Sequence, residues 1–406
     1  MARDTAEVRG YGRETVQRFF IQNFGCRATQ ADGAALEASL SRLGFEPAGV
    51  AGEADVVIVN SCTVTAEADQ DVRQAVRRVH RENPHARILV TGCYAQRAPE
   101  ELAALPGVAW VVGNSHKPQI PEILLREHHA PYHGQIYVGD IFEQRELLAA
   151  PVEEAAGDRT RPNLKIQDGC NNRCSFCIIP FVRGRSRSAR PEDVIEQVRR
   201  LSRRYREVVL SGINLGRWGR ERGIGLRLVD LLRRLLAETE IERLRLSSVE
   251  PMDWSDELLE LMASSPRIAR HVHAPLQTGS DSVLRRMKRR YRARHYESRI
   301  RKARALMPDA AIGADVMVGF PGETDEEFEE NRRFIESLPF TYLHVFTYSE
   351  RPGTPAAAMP GRVPPEVRKE RNRILRELAA AKNLEFRRSM IGKRLSVVTL
   401  EQAGGA

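Results

Sequence analysis

Three cysteines lie close together in the segment DGCNNRCSFCIIP, at residues 168–180. Cys170, Cys174 and Cys177 are separated by three and then by two residues. Three thiolates on so short a loop can bind three corners of a cubic iron–sulfur cluster, which leaves the fourth iron open to a ligand. Structural zinc is the alternative, but it takes four ligands, and no further Cys or His lies near this segment. The spacing therefore favours an iron–sulfur cluster over zinc.

The other three cysteines are far apart in sequence, but each follows a predicted strand. Cys26 follows RFFIQNFG, Cys62 follows ADVVIVNS and Cys93 follows ARILVTG. The carboxyl ends of parallel strands share one edge of a sheet, where open α/β sheets bind ligands. The alternative is three buried thiols, because free Cys is often buried. Since each thiol follows a small or polar residue at a strand end, we favour a second cluster, and two clusters then account for all six cysteines.

Two series of strands and helices must position these cysteines. Residues 18–125 alternate β-branched runs with amphipathic helices, which predicts a doubly wound parallel sheet. Residues 126–160 are rich in His, Glu, Ala and Pro, and we interpret them as a linker with one strand-like piece, GQIYVGDI. The pair His128 and His129 in this linker receives no role.

Residues 161–388 contain six further apolar strands, each followed by a helix: LKIQD, EVVLS, RLRLSS, HVHAPL, ADVMVGF and LHVFTY. The helices are predicted at about 191–204, 227–238, 255–264, 280–307, 324–337 and 365–386. Six βα units are too few for a complete eight-fold barrel, so we predict an open, partial (β/α)6 barrel. The loop with Cys170 follows its first strand, at the edge where barrels place their chemistry. Residues 389–406 begin a strand, KRLSVVTLE, and we interpret them as the start of a truncated or vestigial C-terminal β-domain.

Composition narrows the class of protein. The 406 residues include 63 Lys and Arg against 54 Asp and Glu, a net charge of +9, which favours a polyanionic partner. Six cysteines are far too few for a disulfide scaffold. The sequence has no signal peptide and no apolar run long enough to span a bilayer. We therefore expect a cytoplasmic protein without a membrane association.

The chain resembles the radical S-adenosylmethionine superfamily and, within it, the methylthiotransferase family, from about Phe19 to Lys393. Besides the cysteine loop, the segments that carry the resemblance are NFGC (23–26), NSCTVT (60–65), VTGCYAQ (90–96), PLQTGSD (275–281) and VGFPGET (318–324). NSCTVT and VTGCYAQ are most similar to the branch that adds a methylthio group to C-2 of N6-threonylcarbamoyladenosine at position 37 of tRNA. Sister branches modify N6-isopentenyladenosine in tRNA or an aspartate of a ribosomal protein, and these remain the alternatives.

The resemblance implies two 4Fe-4S clusters and S-adenosylmethionine as cofactors. Cys170, Cys174 and Cys177 would hold the cluster that binds S-adenosylmethionine and yields a carbon radical, which suits an adenine carbon whose hydrogen is not acidic. Cys26, Cys62 and Cys93 would hold an auxiliary cluster that carries the sulfur. The residues expected to bind S-adenosylmethionine are Ser211, Gly212, Ile213, Glu250, Gln277, Gly319 and Gly322. A plain strand-to-helix turn is the alternative for the two last glycines. Phe176 is expected to shield the first cluster.

The expected partners are tRNA and an external one-electron donor such as flavodoxin or ferredoxin. The arginines expected to bind RNA lie just after the cysteine loop, at Arg183, Arg185, Arg187 and Arg190. Residues 280–302 hold ten Lys or Arg and two acids, and form either a phosphate-binding face or a solvated helix face. His271 and His273 are interpreted as structural.

A non-catalytic iron–sulfur protein, used for electron transfer or RNA binding, is the alternative from another class. The two hypotheses differ in whether the reduced protein cleaves S-adenosylmethionine. The enzyme hypothesis also requires both cysteine trios to share one cavity.

Overall fold

The computed structural model describes residues 17–126, 134–145, 147, 160–222 and 225–399 of the chain. His128, His129 and the end of the predicted C-terminal strand lie outside the described residues. Among the described helices, none is both long and apolar enough to cross a membrane.

The first domain is a six-stranded, wholly parallel sheet in the order β2-β1-β3-β4-β5-β6. Its strands are β1 Arg18–Asn23, β2 Glu46–Pro47, β3 Val56–Ser61, β4 Arg87–Gly92, β5 Val108–Gly113 and β6 Gln135–Tyr137. Its helices are α1 Arg27–Arg42, α2 Ala66–Glu82, α3 Cys93–Arg97, α4 Pro99–Ala103 and α5 Ile120–Arg126. The three central strands are buried along their whole length, as expected for β-branched runs covered by helices on both faces.

Strand β6 differs from the expected linker. It pairs in parallel with β5 and so becomes the sixth strand of the sheet. The first domain therefore continues past residue 125, where we placed its end. The strand-like piece GQIYVGDI contains β6, but its place in the sheet depends on the pairing with β5, which the sequence pattern does not show.

The second domain is a partial barrel. Its strands are β7 Asn163–Asp168, β8 Arg187–Ser188, β9 Glu207–Gly212, β10 Arg243–Leu246, β11 His271–His273, β12 Ala311–Val318 and β13 Tyr342–Thr347. Its helices are α6 Ile179–Arg183, α7 Pro191–Ser202, α8 Leu228–Glu238, α9 Asp256–Ser264, α10 Asp281–Arg286, α11 Ala293–Leu306, α12 Asp325–Ser337 and α13 Pro365–Ser389. Apolar residues of the strands and helices form one large core between the two layers.

The six parallel strands expected from the sequence are all present. Strands β10, β9 and β7 form one parallel set, and β11, β12 and β13 form another. Hydrogen bonds join the two sets: Ala269 N donates to Leu244 O at 2.8 Å, and Val249 N donates to His273 O at 3.0 Å. The α/β class, with a doubly wound sheet followed by a partial barrel, is thereby confirmed.

Two further predictions about the second domain were wrong. The helix expected over 280–307 is two helices, α10 and α11, because Lys288 adopts a left-handed φ of 56° between them. Residues 393–399, expected to begin a strand, form none, and Ser396 instead accepts a hydrogen bond from Arg243. An isolated strand has no partner to satisfy its backbone groups, so an apolar alternation alone does not produce one.

The first domain lies against the open side of the barrel. Helix α1 packs against β7 and β9, the first two parallel strands of the barrel. Asn163 Nδ2 donates to Arg27 O at 2.6 Å, and Lys165 of β7 pairs with Asp32 of α1. On another part of the boundary, Arg351 Nη1 lies 2.8 Å from Asp69 Oδ2, with both side chains buried. The two domains therefore share a boundary fixed by buried ion pairs.

Candidate functional site

The first cysteine trio forms because its strands are neighbours. Cys26, Cys62 and Cys93 follow β1, β3 and β4, which are adjacent in the sheet. Burial, together with the nearby Cys93 and Cys26, raises the pKa of the Cys62 thiol to about 12. Cys62 and Cys93 are buried, whereas Cys26 is exposed. Three thiols that crowd one another in this way are a suitable donor set for a thiolate-bound metal cluster.

Two glycines allow the chain to turn into this trio. Gly25 has a φ of 99°, and a Cβ there would lie 2.5 Å from Cys62 Cβ. Gly92 has a φ of 100°, and a Cβ there would lie 2.3 Å from Ser61 O. Glycine tolerates both this backbone conformation and this close approach. A Gly directly before a Cys at a strand end is therefore a sequence signal for the site.

We expect Gly92→Ala to destabilise the first domain and its trio. The left-handed backbone costs about 1–3 kcal/mol for a residue with a side chain, and the contact with Ser61 O adds to this cost. Thermal unfolding should shift to lower temperature, and iron content after anaerobic reconstitution should fall. Gly52→Ala is the matched control because a Cβ there meets nothing within 4 Å. Equal behaviour of the two variants would contradict this account of Gly92.

The second trio lies on the loop after β7. Burial, together with the nearby Cys174 and Cys170, raises the pKa of the Cys177 thiol to about 12. The Sγ of Cys170 accepts from the backbone N of Asn172 at 3.4 Å and from Asn214 Nδ2 at 3.6 Å. The structure thus brings together all three cysteines of the C-x3-C-x2-C loop.

Arg289 is a residue of this site that the sequence did not reveal. It lies in the break between α10 and α11, where its Nη1 donates to Cys174 Sγ at 3.3 Å and its Nη2 pairs with Glu250. The side chain is 4% exposed. In the sequence, Arg289 lies within the basic run over 280–302. The pattern of this run does not distinguish a cation that is buried in the structure from one that is exposed.

The other cations of 280–302 favour the interpretation as a solvated face rather than a phosphate-binding one. Arg286 pairs with Glu327, Arg299 with Asp256 and Arg301 with Glu297. Glu327 lies on α12 and Asp256 on α9, so two of these pairs join neighbouring helices, whereas Glu297 lies on α11 together with Arg301.

Arg183 links the first trio to the strand that precedes the second. Its Nε donates to Cys93 Sγ at 3.3 Å, and its Nη1 donates to both carboxylate oxygens of Asp168 at 3.1 Å. Cys93 also packs against Ile178, which directly follows Cys177. Arg183 and Ile178 therefore connect Cys93 of the first trio with the segment that carries the second trio, across the boundary between the domains.

A network of buried charges surrounds Arg183. Two carboxylates, of Asp32 and Asp168, face four cations, of Lys117, Lys165, Arg183 and Arg187. Burial would raise the pKa of Asp32, but Lys117, Lys165 and Arg183 outweigh it and lower this pKa to about 2. The network keeps an excess of two positive charges beside the first trio. Buried charge needs a partner, so an anionic thiolate-bound cluster fits this position.

The prediction that Arg183 and Arg187 bind RNA is corrected by these contacts. The two side chains are 2% and 5% exposed, and both face Asp168. Arg185 and Arg190 are exposed, and Arg190 pairs with Asp193 at 2.7 Å. Position next to the cysteine loop could not separate the two pairs because burial depends on carboxylates distant in sequence.

Unpartnered polar atoms lie on residues that follow the carboxyl ends of β9, β10 and β11, and one of these residues, Asn214, contacts Cys170. The buried Asn214 Oδ1, Ser247 Oγ and Gln277 Oε1 accept no hydrogen bond within the described part of the chain. A small cavity is lined by Cys174, Glu250 and Arg289. Buried polar groups are normally paired, so a polar ligand such as S-adenosylmethionine fits here.

The other residues expected to bind S-adenosylmethionine have mixed surroundings. Ser211 is buried, with its Oγ donating to Leu164 O at 3.5 Å, and Gly212 lies against Gln167. Ile213 is half-buried. Gly319 and Gly322 have φ values of 74° and 76°, so turn geometry alone accounts for both. Their contact with the cofactor stays a prediction.

Two family descriptions match separate parts of the chain. Residues 164–335 match the Radical SAM superfamily. Residues 18–113 match a family described as uncharacterized protein family UPF0004.

Several curated proteins are similar over nearly the whole chain. Threonylcarbamoyladenosine tRNA methylthiotransferase MtaB of Aquifex aeolicus is 39% identical, covering 94% of this chain and 92% of that protein. The protein of the same name from Bacillus subtilis is 42% identical, covering 86% and 78%. A tRNA-2-methylthio-N(6)-dimethylallyladenosine synthase of Pelotomaculum thermopropionicum is 35% identical, covering 94% and 86%.

Among solved structures, the radical S-adenosylmethionine methyltransferase TsrM of Kitasatospora setae has a TM-score of 0.60 at 15% identity. It covers 84% of this chain and 77% of that one. At this level of identity the likeness concerns the fold.

Proposed function

We propose, because the chain belongs to the radical S-adenosylmethionine methylthiotransferase family, that it adds a methylthio group to C-2 of N6-threonylcarbamoyladenosine at position 37 of tRNA. The observation that carries the proposal is the position of Arg183 at the domain boundary, where it contacts both Cys93 of the first trio and Asp168, two residues before Cys170 of the second. A sulfur held by one trio would have to lie near a radical generated at the other.

We assign one 4Fe-4S cluster to each trio. The cluster at Cys170, Cys174 and Cys177, together with S-adenosylmethionine, supplies a carbon radical capable of attacking an unactivated ring position. Arg289 and Arg183 each donate an N–H to one thiol sulfur, a contact that stabilises negative charge on a thiolate. Phe176 packs with a buried group that includes Phe320 and Met317, which keeps water from one side of the loop.

The remaining polar groups fit the binding of the cofactor. Asn214 Oδ1, Ser247 Oγ and Gln277 Oε1 are acceptors for the ammonium and hydroxyl groups of S-adenosylmethionine. Glu250 is a further acceptor, held in place by Arg289. Arg185 and Arg190 are the candidates for contacts with tRNA phosphates, and flavodoxin or ferredoxin is the proposed electron donor.

The direct test is nucleoside analysis of tRNA from a strain that lacks the gene, complemented with this chain. We expect the methylthio form of threonylcarbamoyladenosine to return, while the methylthio form of isopentenyladenosine is unaffected. The reduced, reconstituted protein should form 5′-deoxyadenosine. No methylthio product would reject the proposed reaction, and no 5′-deoxyadenosine would favour a non-catalytic iron–sulfur protein.

A further inference from the structure

The concave face of the partial barrel is polar. On β11 and β12, Val272, Ile312 and Ala314 belong to the apolar core under the helices. Side chains alternate across a strand, so His271, His273 and Asp315 face the other way. On β13 the same alternation places Tyr342 and His344 on this concave face. Leu343 and Val345 point to the opposite side and pack against the core.

A chain of hydrogen bonds connects these side chains. Tyr342 OH lies 2.8 Å from His271 Nε2 and 2.9 Å from His273 Nδ1. Asp315 Oδ2 lies 3.1 Å from His273 Nε2, and Asp315 Oδ1 lies 3.2 Å from His344 Nδ1. His344 is the outermost member, with 64% of its side chain exposed against 27% for Asp315. A ligand that enters the barrel therefore meets the His344 ring first, with its orientation held by Asp315.

The charge around this chain is positive. Arg27, the residue after Cys26, acts electrostatically on His271, Tyr342 and His344, and Arg245 acts on His271 and Tyr342. Glu207 is a single carboxylate shared by three arginines, Arg161, Arg243 and Arg245. The hydrogen bond to Asp315 raises the pKa of His344, which favours its cationic form. Three arginines thus share one carboxylate, which leaves positive charge beside this chain.

We propose that this concave face of the barrel binds the carboxylate of the N6 substituent of the target adenosine. His344 is the direct donor, and Arg27 and Arg245 supply the surrounding positive charge. The inference rests on the proposed function and adds the basis of its specificity. A threonylcarbamoyl group ends in a carboxylate, whereas an isopentenyl group is apolar and has no charged group that this face could bind. The position suits the reaction because Arg27 directly follows Cys26, a member of the trio assigned to the sulfur-carrying cluster.

A divalent cation is the competing occupant. One ligand atom each of His273, Asp315 and His344 lies within 4.8 Å of the other two. However, a dication would be repelled by the arginines around the site, whereas a carboxylate is attracted by them. Both oxygens of Asp315 also already pair with imidazole nitrogens. The charge therefore favours an anion.

The test measures binding of anticodon stem-loop RNAs to the reconstituted protein, separately from turnover. One RNA carries N6-threonylcarbamoyladenosine and the other its threonine methyl ester, which removes the negative charge and little else. We expect the wild-type protein to bind the acid about ten-fold more tightly than the ester. His344→Gln should reduce this ratio to about two-fold or less. Arg333→Gln is the matched control because Arg333 is a 73% exposed cation paired with Glu329.

The outcomes separate the inference from the function on which it rests. A wild-type protein that binds acid and ester equally, or a His344→Gln variant that keeps the full ratio, overturns the inference even if methylthiolation proceeds. Failure of the wild-type protein to methylthiolate the acid RNA counts against the proposed function instead. Metal analysis is the third measurement: one non-iron metal per chain, lost in His344→Gln, would assign the cluster to a cation and overturn the inference. Unchanged iron content and thermal unfolding of His344→Gln should show that the variant is folded.

Discussion

Replacing Cys26, Cys62 and Cys93 together by alanine should lower the iron content of the reconstituted protein from about eight to about four atoms per chain. The methylthio product should disappear, because the variant has no site for the sulfur. Formation of 5′-deoxyadenosine should continue, because Cys170, Cys174 and Cys177 lie on a separate loop after β7. Iron analysis and a dithionite-driven assay for 5′-deoxyadenosine measure the two effects in the same preparation.

The reciprocal variant, with Cys170, Cys174 and Cys177 replaced by alanine, is the matched control. It should also keep about four irons but form no 5′-deoxyadenosine. Because the two variants remove equal numbers of thiols, they separate the role of each trio from a general loss of iron. An unchanged iron content in the first variant would exclude the auxiliary cluster. Loss of all iron from both would instead indicate that the trios bind one shared cluster.

The cysteine trios were predictable from sequence because their positions depend on local signals. Cys62 follows a fully buried strand rich in β-branched residues. Such a run predicts a strand from the local sequence, without information about the neighbouring strands. Parallel strands then bring their carboxyl ends to one edge by topology alone. The six barrel strands were recognisable for the same reason, since each apolar run is separated from the next by a helix.

The charges between the trios were not predictable in the same way. Asp32 lies on α1 and Lys165 on β7, 133 residues apart in sequence, and their pairing exists only once the domains pack. Arg183 was predicted to bind RNA because it lies just after the cysteine loop, together with Arg185 and Arg190, which are exposed in the structure. A charged residue within an apolar strand, such as Lys165 in LKIQD, was the available signal for a buried ion pair.

The polar side chains on the concave face of the barrel were also not predictable as a group from the sequence. His271 and His273 were interpreted as structural, and their bonds to Tyr342 and Asp315 fit that role. His344 completes the chain from β13, and nothing in its own strand indicates that it faces two other histidines. Residues that each receive a structural role when considered alone can therefore form a binding surface together, once three strands are aligned.

Asp32→Asn is expected to have the largest effect on stability of any single substitution considered. The Asp32 carboxylate pairs with Lys117, Lys165 and Arg183, and all four side chains are at most 8% exposed. Removing one member of a buried ion pair leaves its partners uncompensated, which costs about 3–5 kcal/mol. We therefore expect a large fall in the temperature of thermal unfolding, measured by circular dichroism, and loss of iron bound at the first trio. Glu242→Gln is the control because Glu242 pairs with Arg206 on the surface, where such a pair contributes about 0–1 kcal/mol.

The pH dependence of unfolding gives this prediction a second measurement. The pKa of Asp32 is lowered in the folded protein from 3.8 to about 2, so the carboxylate stabilises the fold above its unfolded pKa. That contribution should be lost as the pH falls from about 4 towards about 2. Asp32→Asn has no carboxyl to titrate, so its stability should fall less steeply over the same interval. Parallel acid limbs for the wild-type and variant proteins would mean that Asp32 is not the ionised centre of this network. The link between the domains would then depend on Asp168, which shares Lys165 and Arg183 with it.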